Sequence, residues 1–119
     1  MSVRILSRIL STCILSAVVQ TAVASAADTV PVLTINAQQF VPQDMAIASG
    51  VKQKVVIRNT GTIPAEFESY DLSREIIVPA HGEVTIYIGP LEAGRYQFFN
   101  DFNHDMQGTI TVPAARKGN

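Results

Sequence analysis

Short runs of apolar residues, separated by turn residues about every ten positions, extend from about residue 31 to residue 113. Several runs alternate between apolar and polar residues, as Leu33 and Ile35 do around Thr34. A period of two is typical of a strand with one buried face. No segment keeps a helical period, so the pattern predicts an all-β domain, a sandwich or a barrel. The predicted strands are segments 32–37, 52–58, 66–70, 75–78, 83–88, 96–99 and 108–112.

The first 26 residues differ in character from the rest of the chain. Arg4 and Arg8 precede an uncharged, mostly apolar stretch, which ends at Ala24-Ser25-Ala26. This order of basic, apolar and small residues is typical of a secretory signal peptide. We therefore expect a signal peptide at residues 1–26, a single periplasmic domain at 27–119, and a core at about 31–113. Cleavage after Ala27 and an uncleaved anchor are the alternatives.

Charge and cysteine content exclude several classes of function. The formal net charge is −1 and no run of Lys or Arg occurs, so we expect no nucleic acid as a partner. The single cysteine, Cys13, lies within the predicted signal peptide, which leaves the mature domain without a thiol. No nucleophile elbow, phosphate loop or HExxH motif occurs. The sequence therefore favours a binding or accessory protein over an enzyme.

Two clusters of side chains have the chemistry of metal ligands. Glu66 and Glu68 are two residues apart in a predicted strand, so they share one face and repel each other unless water or a cation lies between them. The second cluster, in a predicted loop at 100–106, combines carboxylate, imidazole and thioether groups. Carboxylates suit ferric iron, imidazole suits copper or iron, and thioether suits cuprous copper. The predicted ligands are Glu66, Glu68, Asp101, His104 and Met106, with Glu75 and Asp105 as outer candidates.

Each of these residues also has a purely structural interpretation. His104 suits an exposed loop, and Met106 suits an irregular gap in the core. Glu66 and Glu68 suit a solvated strand face, and Asp101 suits a turn in which it bonds its own backbone. The sequence alone leaves both interpretations open.

From about residue 40 to residue 112 the chain resembles the cupredoxin superfamily. Strand 96–99, a polar loop and strand 108–112 are similar to the last hairpin of cupredoxins, in which a Cys, a His and a Met bind copper. Segment 59–64 resembles the stretch that leads to their other copper-binding His. The resemblance implies a Greek-key β-sandwich in a single domain. Segments 67–69, 88–91 and 98–102 are most similar to EfeO-type cupredoxin-like domains, whose small exported members accompany bacterial ferrous-iron uptake systems.

The chain departs from that family at two positions that bear on its chemistry. Asn100 stands where a blue-copper protein has its thiolate, and Ala65 stands near the position of its first His. A type 1 blue copper centre needs two His and one Cys, so we expect none here.

The resemblance then implies a periplasmic protein that binds copper or iron and is accessory to iron uptake. It would assist ferrous-iron oxidation, or transfer iron to a membrane iron permease or a periplasmic iron-binding protein. Two alternatives stay open: a periplasmic copper carrier, and a metal-free interaction module on a cupredoxin fold.

Overall fold

The structure is a computed structural model and describes residues 29–117. These residues form nine strands and no helix. No helix among these residues is long and apolar enough to cross a membrane. The predicted signal peptide, residues 1–26, lies outside the described residues. The strands are β1 (Val32–Ile35), β2 (Phe40–Val41), β3 (Asp44–Ala46), β4 (Gln53–Asn59), β5 (Ala65–Ser69), β6 (Arg74–Val78), β7 (Glu83–Ile88), β8 (Gly94–Asn100) and β9 (Asn103–Val112).

The strands form two sheets that pack face to face. One sheet has the order β2-β1-β4-β7, and the other has the order β3-β9-β8-β5-β6. The pairs β1–β4 and β3–β9 are parallel, and the remaining pairs are antiparallel. Alternating apolar residues of both sheets face the interior, as sandwich packing requires. The predicted all-β sandwich is therefore confirmed.

Three phenylalanines, Phe40, Phe67 and Phe98, lie at the centre of the core and are at most 1% exposed. The Phe98 ring contacts Phe40 edge-on at a centroid distance of 4.9 Å and Phe67 at 5.2 Å. β9 crosses this ring at Gly108, where a Cβ atom would lie 2.8 Å from the carbonyl oxygen of Gln43 and would overlap the Phe98 ring. Glycine is therefore required for β9 to pass so close to the core.

The hairpin of β8 and β9 is longer than the sequence predicts. Residues 100–106 were expected to form a loop, but β9 already begins at Asn103, which pairs with Asn100. The next pair joins Phe99 to Gln107, so residues 104–106 bulge out of the ladder. The polar residues here have no alternating pattern, so the sequence could not show this pairing. The bulge decides which face of the sheet each candidate ligand occupies.

Candidate metal centre

Three carboxylates meet on the outer face of the five-stranded sheet. Glu66 and Glu68 lie on β5, and Asp101 directly follows β8. One carboxylate oxygen from each lies within 4.8 Å of the others. Oxygens that share one ion are about 3–5 Å apart, since metal–oxygen distances are about 2.0–2.6 Å. These three residues, named here the acidic cluster, therefore have the spacing of a cation site.

Backbone and side-chain hydrogen bonds hold the two halves of the acidic cluster in register. The N–H of Asp101 donates to the carbonyl oxygen of Glu66 at 3.0 Å. The N–H of Glu66 donates to Oδ1 of Asn100 at 3.0 Å, and the N–H of Phe102 donates to the same oxygen at 3.1 Å. Asn100 is only 5% exposed. One buried carboxamide thus joins β5 to the turn that carries Asp101.

Glu66 is a buried acid in an acidic environment. It is 7% exposed, and within residues 29–117 none of the ion pairs includes it. Its pKa is raised, first by a hydrogen bond with the carboxyl group of Glu75, then by burial and by the charges of Glu75, Asp101 and Glu68. Glu75 lies on β6 directly opposite Glu68. A carboxylate in such surroundings favours a proton or a cation beside it.

Glu68 is perturbed in the same direction. Burial raises its pKa most, followed by the charges of Asp101 and Glu75 and a hydrogen bond with Asp101, while the charge of His104 lowers it. When the carboxylates of the acidic cluster are all ionised, they repel one another, and this repulsion contributes to the raised pKa values of Glu66 and Glu68. A bound cation removes this repulsion, and its affinity falls as the ligands take up protons.

His104 lies at the rim of the acidic cluster and is exposed. Its Nε2 is 2.8 Å from Oδ1 of Asp101, and its ring contacts Phe99 edge-on at a centroid distance of 5.2 Å. Nε2 of Gln107 donates to the carbonyl oxygen of His104 at 2.9 Å. The bulge in β9 thus places an imidazole beside three carboxylates. Asp105, an outer candidate, is exposed and is not one of the three carboxylates that meet.

Met106 lies on the inner face of the same sheet, away from the acidic cluster. It is 4% exposed and belongs to the core, and Nδ2 of Asn100 lies 3.6 Å from its Sδ. The predicted set of five ligands is therefore divided between the two faces of the sheet. The physical reason is the bulge at 104–106, which breaks the alternation that would place His104 and Met106 on one face.

The inner face has a cavity of its own at the end of the sandwich, with a volume of about 150 Å³. Ala65, Asn100 and Met106 line it, together with Asn59. Ala65 and Asn100 are the positions that the resemblance assigns to a His and a thiolate. No imidazole or thiol of the described residues lines this cavity, which offers amides and one thioether instead.

Sequence analysis identified Asn100 only as a departure from the copper ligands of the family, and not as a residue that joins two elements. Its only signal is a polar residue that continues the alternation of a strand at a position expected to be buried. The contribution of Glu75 depends on its pairing opposite Glu68, which a single sequence does not reveal. Phe99 and Gln107, which contact His104, were not candidates either.

Comparison with known proteins gives three kinds of likeness. A family model described as a cupredoxin-like domain matches residues 8–112. An uncharacterized protein of Rickettsia prowazekii (strain Madrid E) is 40% identical over 81 residues, which are 67% of this chain and 65% of that protein. The chain thus spans slightly less than two thirds of the length of this relative.

Two solved structures are similar in fold. The reduced state of an amicyanin mutant matches with a TM-score of 0.59 and 19% identity, over 75% of this chain and 87% of that one. A purple cupredoxin from Nitrosopumilus maritimus matches with a TM-score of 0.55 and 18% identity, over 69% of this chain and 98% of that one. These likenesses confirm the predicted type of sandwich, and at such identities they concern the fold alone.

Proposed function

The chain belongs to the cupredoxin-like domain family, and we propose that it is a periplasmic metal-binding protein that holds iron or copper at the acidic cluster and is accessory to bacterial iron uptake. The observation that carries this proposal is the meeting of the Glu66, Glu68 and Asp101 carboxylates within 4.8 Å. The burial of Glu66 among other acids adds to it, since a cation relieves the repulsion. A metal-binding role also agrees with the family.

The ligands favour ferric iron or cupric copper over cuprous copper. Three carboxylate oxygens and one imidazole nitrogen form a hard to intermediate donor set. The soft thioether of Met106 lies on the other face of the sheet and does not join it. We further propose that the protein has no type 1 blue copper centre, since Asn100 and Ala65 stand where that centre needs a thiolate and an imidazole.

The cellular setting of this proposal rests on the sequence. Residues 1–26 would be removed as a signal peptide, and residues 27–119 would act in the periplasm as a domain of the EfeO type. The partner would be a membrane iron permease or a periplasmic iron-binding protein. The site lies at the surface with His104 at its rim, which suits uptake and release of an ion better than multi-turnover catalysis.

A periplasmic copper carrier is the second candidate, because the thioether of Met106 lines the inner cavity. This function predicts that cuprous copper binds on the inner face. The two candidates are separable because they assign the metal to opposite faces of the sheet and to different side chains. A metal-free interaction module would respond to neither set of substitutions.

Thermal unfolding with and without Fe(III) supplied as citrate, Cu(II) and Cu(I) tests the proposal. A metal that binds only the native state at a hundred times its Kd adds about 2.7 kcal/mol of stability, which raises Tm by about 10–20 °C in a domain of this size. We expect Fe(III) or Cu(II) to raise Tm in the wild type. We expect Glu66→Gln to abolish the shift, His104→Ala to reduce it, and Met106→Leu to retain it.

The control is Glu83→Gln, because Glu83 is an exposed acid on the other sheet and should leave the shift unchanged. A shift with Cu(I) alone that disappears in Met106→Leu would replace the proposal by the copper carrier. Absence of any shift with the three ions would leave the metal-free interaction module.

A further inference from the structure

A second concave surface, named here the outer groove, lies where β3, β9 and β8 run side by side. Its volume is about 510 Å³, within the range of about 300–1,000 Å³ typical of small-molecule sites. No residue of the acidic cluster lines it. Its lining includes Gln43, Tyr70, Gln97, Gln107 and Thr109.

The outer groove presents side chains that donate and accept hydrogen bonds at the same time. Within residues 29–117, the side-chain amide of Gln97 and the hydroxyl of Thr109 make no hydrogen bond to another protein group, and both side chains are accessible to solvent. Gln107 uses its Nε2 to reach the carbonyl oxygen of His104, which leaves its Oε1 free. A carboxamide offers both a donor and an acceptor. This combination matches a ligand hydroxyl group, which also donates and accepts.

An aromatic ring stands beside these polar groups. Tyr70 is 75% exposed, yet its ring contacts the Phe99 ring at a centroid distance of 5.3 Å and an angle of 60°. Phe99 thus orients Tyr70 and leaves most of the ring available to a ligand. A flat ring with an apolar face and a polar hydroxyl suits the apolar face of a pyranose.

Charge and backbone pairing exclude other classes of ligand. The charged groups in the lining, Arg95 and Asp44, lie 3.7 Å apart and offset each other, so the groove does not attract phosphates or other anions. β9 has a neighbour on each side. The backbone N–H of Gln97 donates to Asp71 at 2.8 Å, and its carbonyl accepts from Ser69 at 2.6 Å. Neither β8 nor β9 thus offers a free strand edge within the groove to an extended peptide.

We propose that the outer groove binds a short neutral oligosaccharide, with one sugar ring on Tyr70 and sugar hydroxyls hydrogen-bonded to Gln97 and Gln107. The ligand is neutral because the groove has no net charge, and rich in hydroxyls because the free groups are amides and a hydroxyl. This proposal does not depend on metal binding at the acidic cluster.

Titration of ¹⁵N-labelled protein in EDTA with tri-N-acetylchitotriose, cellotriose and maltotriose tests the proposal by NMR. We expect at least one sugar to cause saturable shifts of the backbone amides of Gln97, Gln107 and Thr109. Tyr70→Ala should weaken binding about tenfold or more, because the stacking surface is lost. Gln97→Ala should weaken it to a smaller extent.

The matched control is Tyr87→Ala, which removes a tyrosine that is 48% exposed on the four-stranded sheet. It should leave the affinity unchanged. The proposal is overturned if none of the three sugars gives saturable shifts in the groove. It is equally overturned if Tyr87→Ala matches Tyr70→Ala, or if a sulfated oligosaccharide binds more tightly than its neutral counterpart.

Discussion

Replacement of Asn100 by alanine removes the carboxamide that joins β5 to the turn carrying Asp101. The N–H of Glu66, which donates to Asn100 at 3.0 Å in a buried position, then has no partner. An unsatisfied buried donor costs about 1–3 kcal/mol, and the loss of the Phe102 hydrogen bond adds about 0.5–1.5 kcal/mol. We therefore expect the free energy of unfolding to fall by about 2–4 kcal/mol. The free energy of unfolding of native domains is about 5–15 kcal/mol, so the variant should still fold.

Asn36→Ala is the matched control. Oδ1 of Asn36 also accepts two backbone N–H groups, those of Gln38 and Gln39, both at 2.9 Å, but at exposed positions. Water can replace the carboxamide there, so the cost should stay below about 1 kcal/mol. Urea unfolding followed by circular dichroism measures both free energies, and in thermal unfolding the Tm of Asn100→Ala should fall by about 10–30 °C.

The difference in stability loss between Asn100→Ala and Asn36→Ala tests whether burial makes the Asn100 hydrogen bonds costly to lose. Equal losses of stability for Asn100→Ala and Asn36→Ala would show that burial does not determine the cost. A loss below about 0.5 kcal/mol for Asn100→Ala would show that the Glu66 N–H finds another partner. In either case Asn100 would not be the residue that holds the acidic cluster together.

Two further predictions follow from the packing and the charges. Gly108→Ala should destabilise the fold by about 1–3 kcal/mol or more, because the new Cβ would meet the Phe98 ring and the Gln43 carbonyl. Urea unfolding measures this loss, and an unchanged midpoint would contradict the close approach of β9 to the core. Glu66→Gln should raise the stability of the metal-free protein at pH 7 and reduce the loss of stability between pH 4.5 and pH 7. The folded-state pKa of Glu66 is raised above its ordinary value of 4.5, so the native state binds the proton more tightly and loses stability as the pH rises through that window. The control is Glu83→Gln, which replaces an exposed acid, and both variants are measured in EDTA. An equal gain in stability at pH 7 in both variants would show that the environment of Glu66 does not cause the effect.

The strands were predictable because their signal is local. Alternation of apolar and polar residues follows directly from the period of two along a strand, and it located β4, β7 and β8 to within one or two residues. The same period correctly placed Glu66 and Glu68 on one face of β5. The number of such runs and the absence of a helical period predicted the all-β class and left a sandwich or a barrel open, and the resemblance to cupredoxins implied the sandwich.

The candidate site was predictable only in part because it depends on strand pairing. That Asp101 would come within 4.8 Å of Glu66 and Glu68 depends on the pairing of β5 with β8. The resemblance suggested such a meeting, but neither the pattern nor the spacing of residues specifies the register. Met106 was grouped with His104 because the two are close in sequence, and the bulge between them separates their side chains.

Local patterns in the sequence were enough to predict the all-β class, the faces of the individual strands and the chemical types of the candidate ligands. These are properties of short segments, and local periodicity and side-chain chemistry specify them. Only the folded chain shows that Glu75 lies opposite Glu68, that Asn100 joins two elements, and that Met106 faces the core. These features arise from pairing between distant segments and from a single bulge, and a shift of one residue in register would have exchanged the two faces.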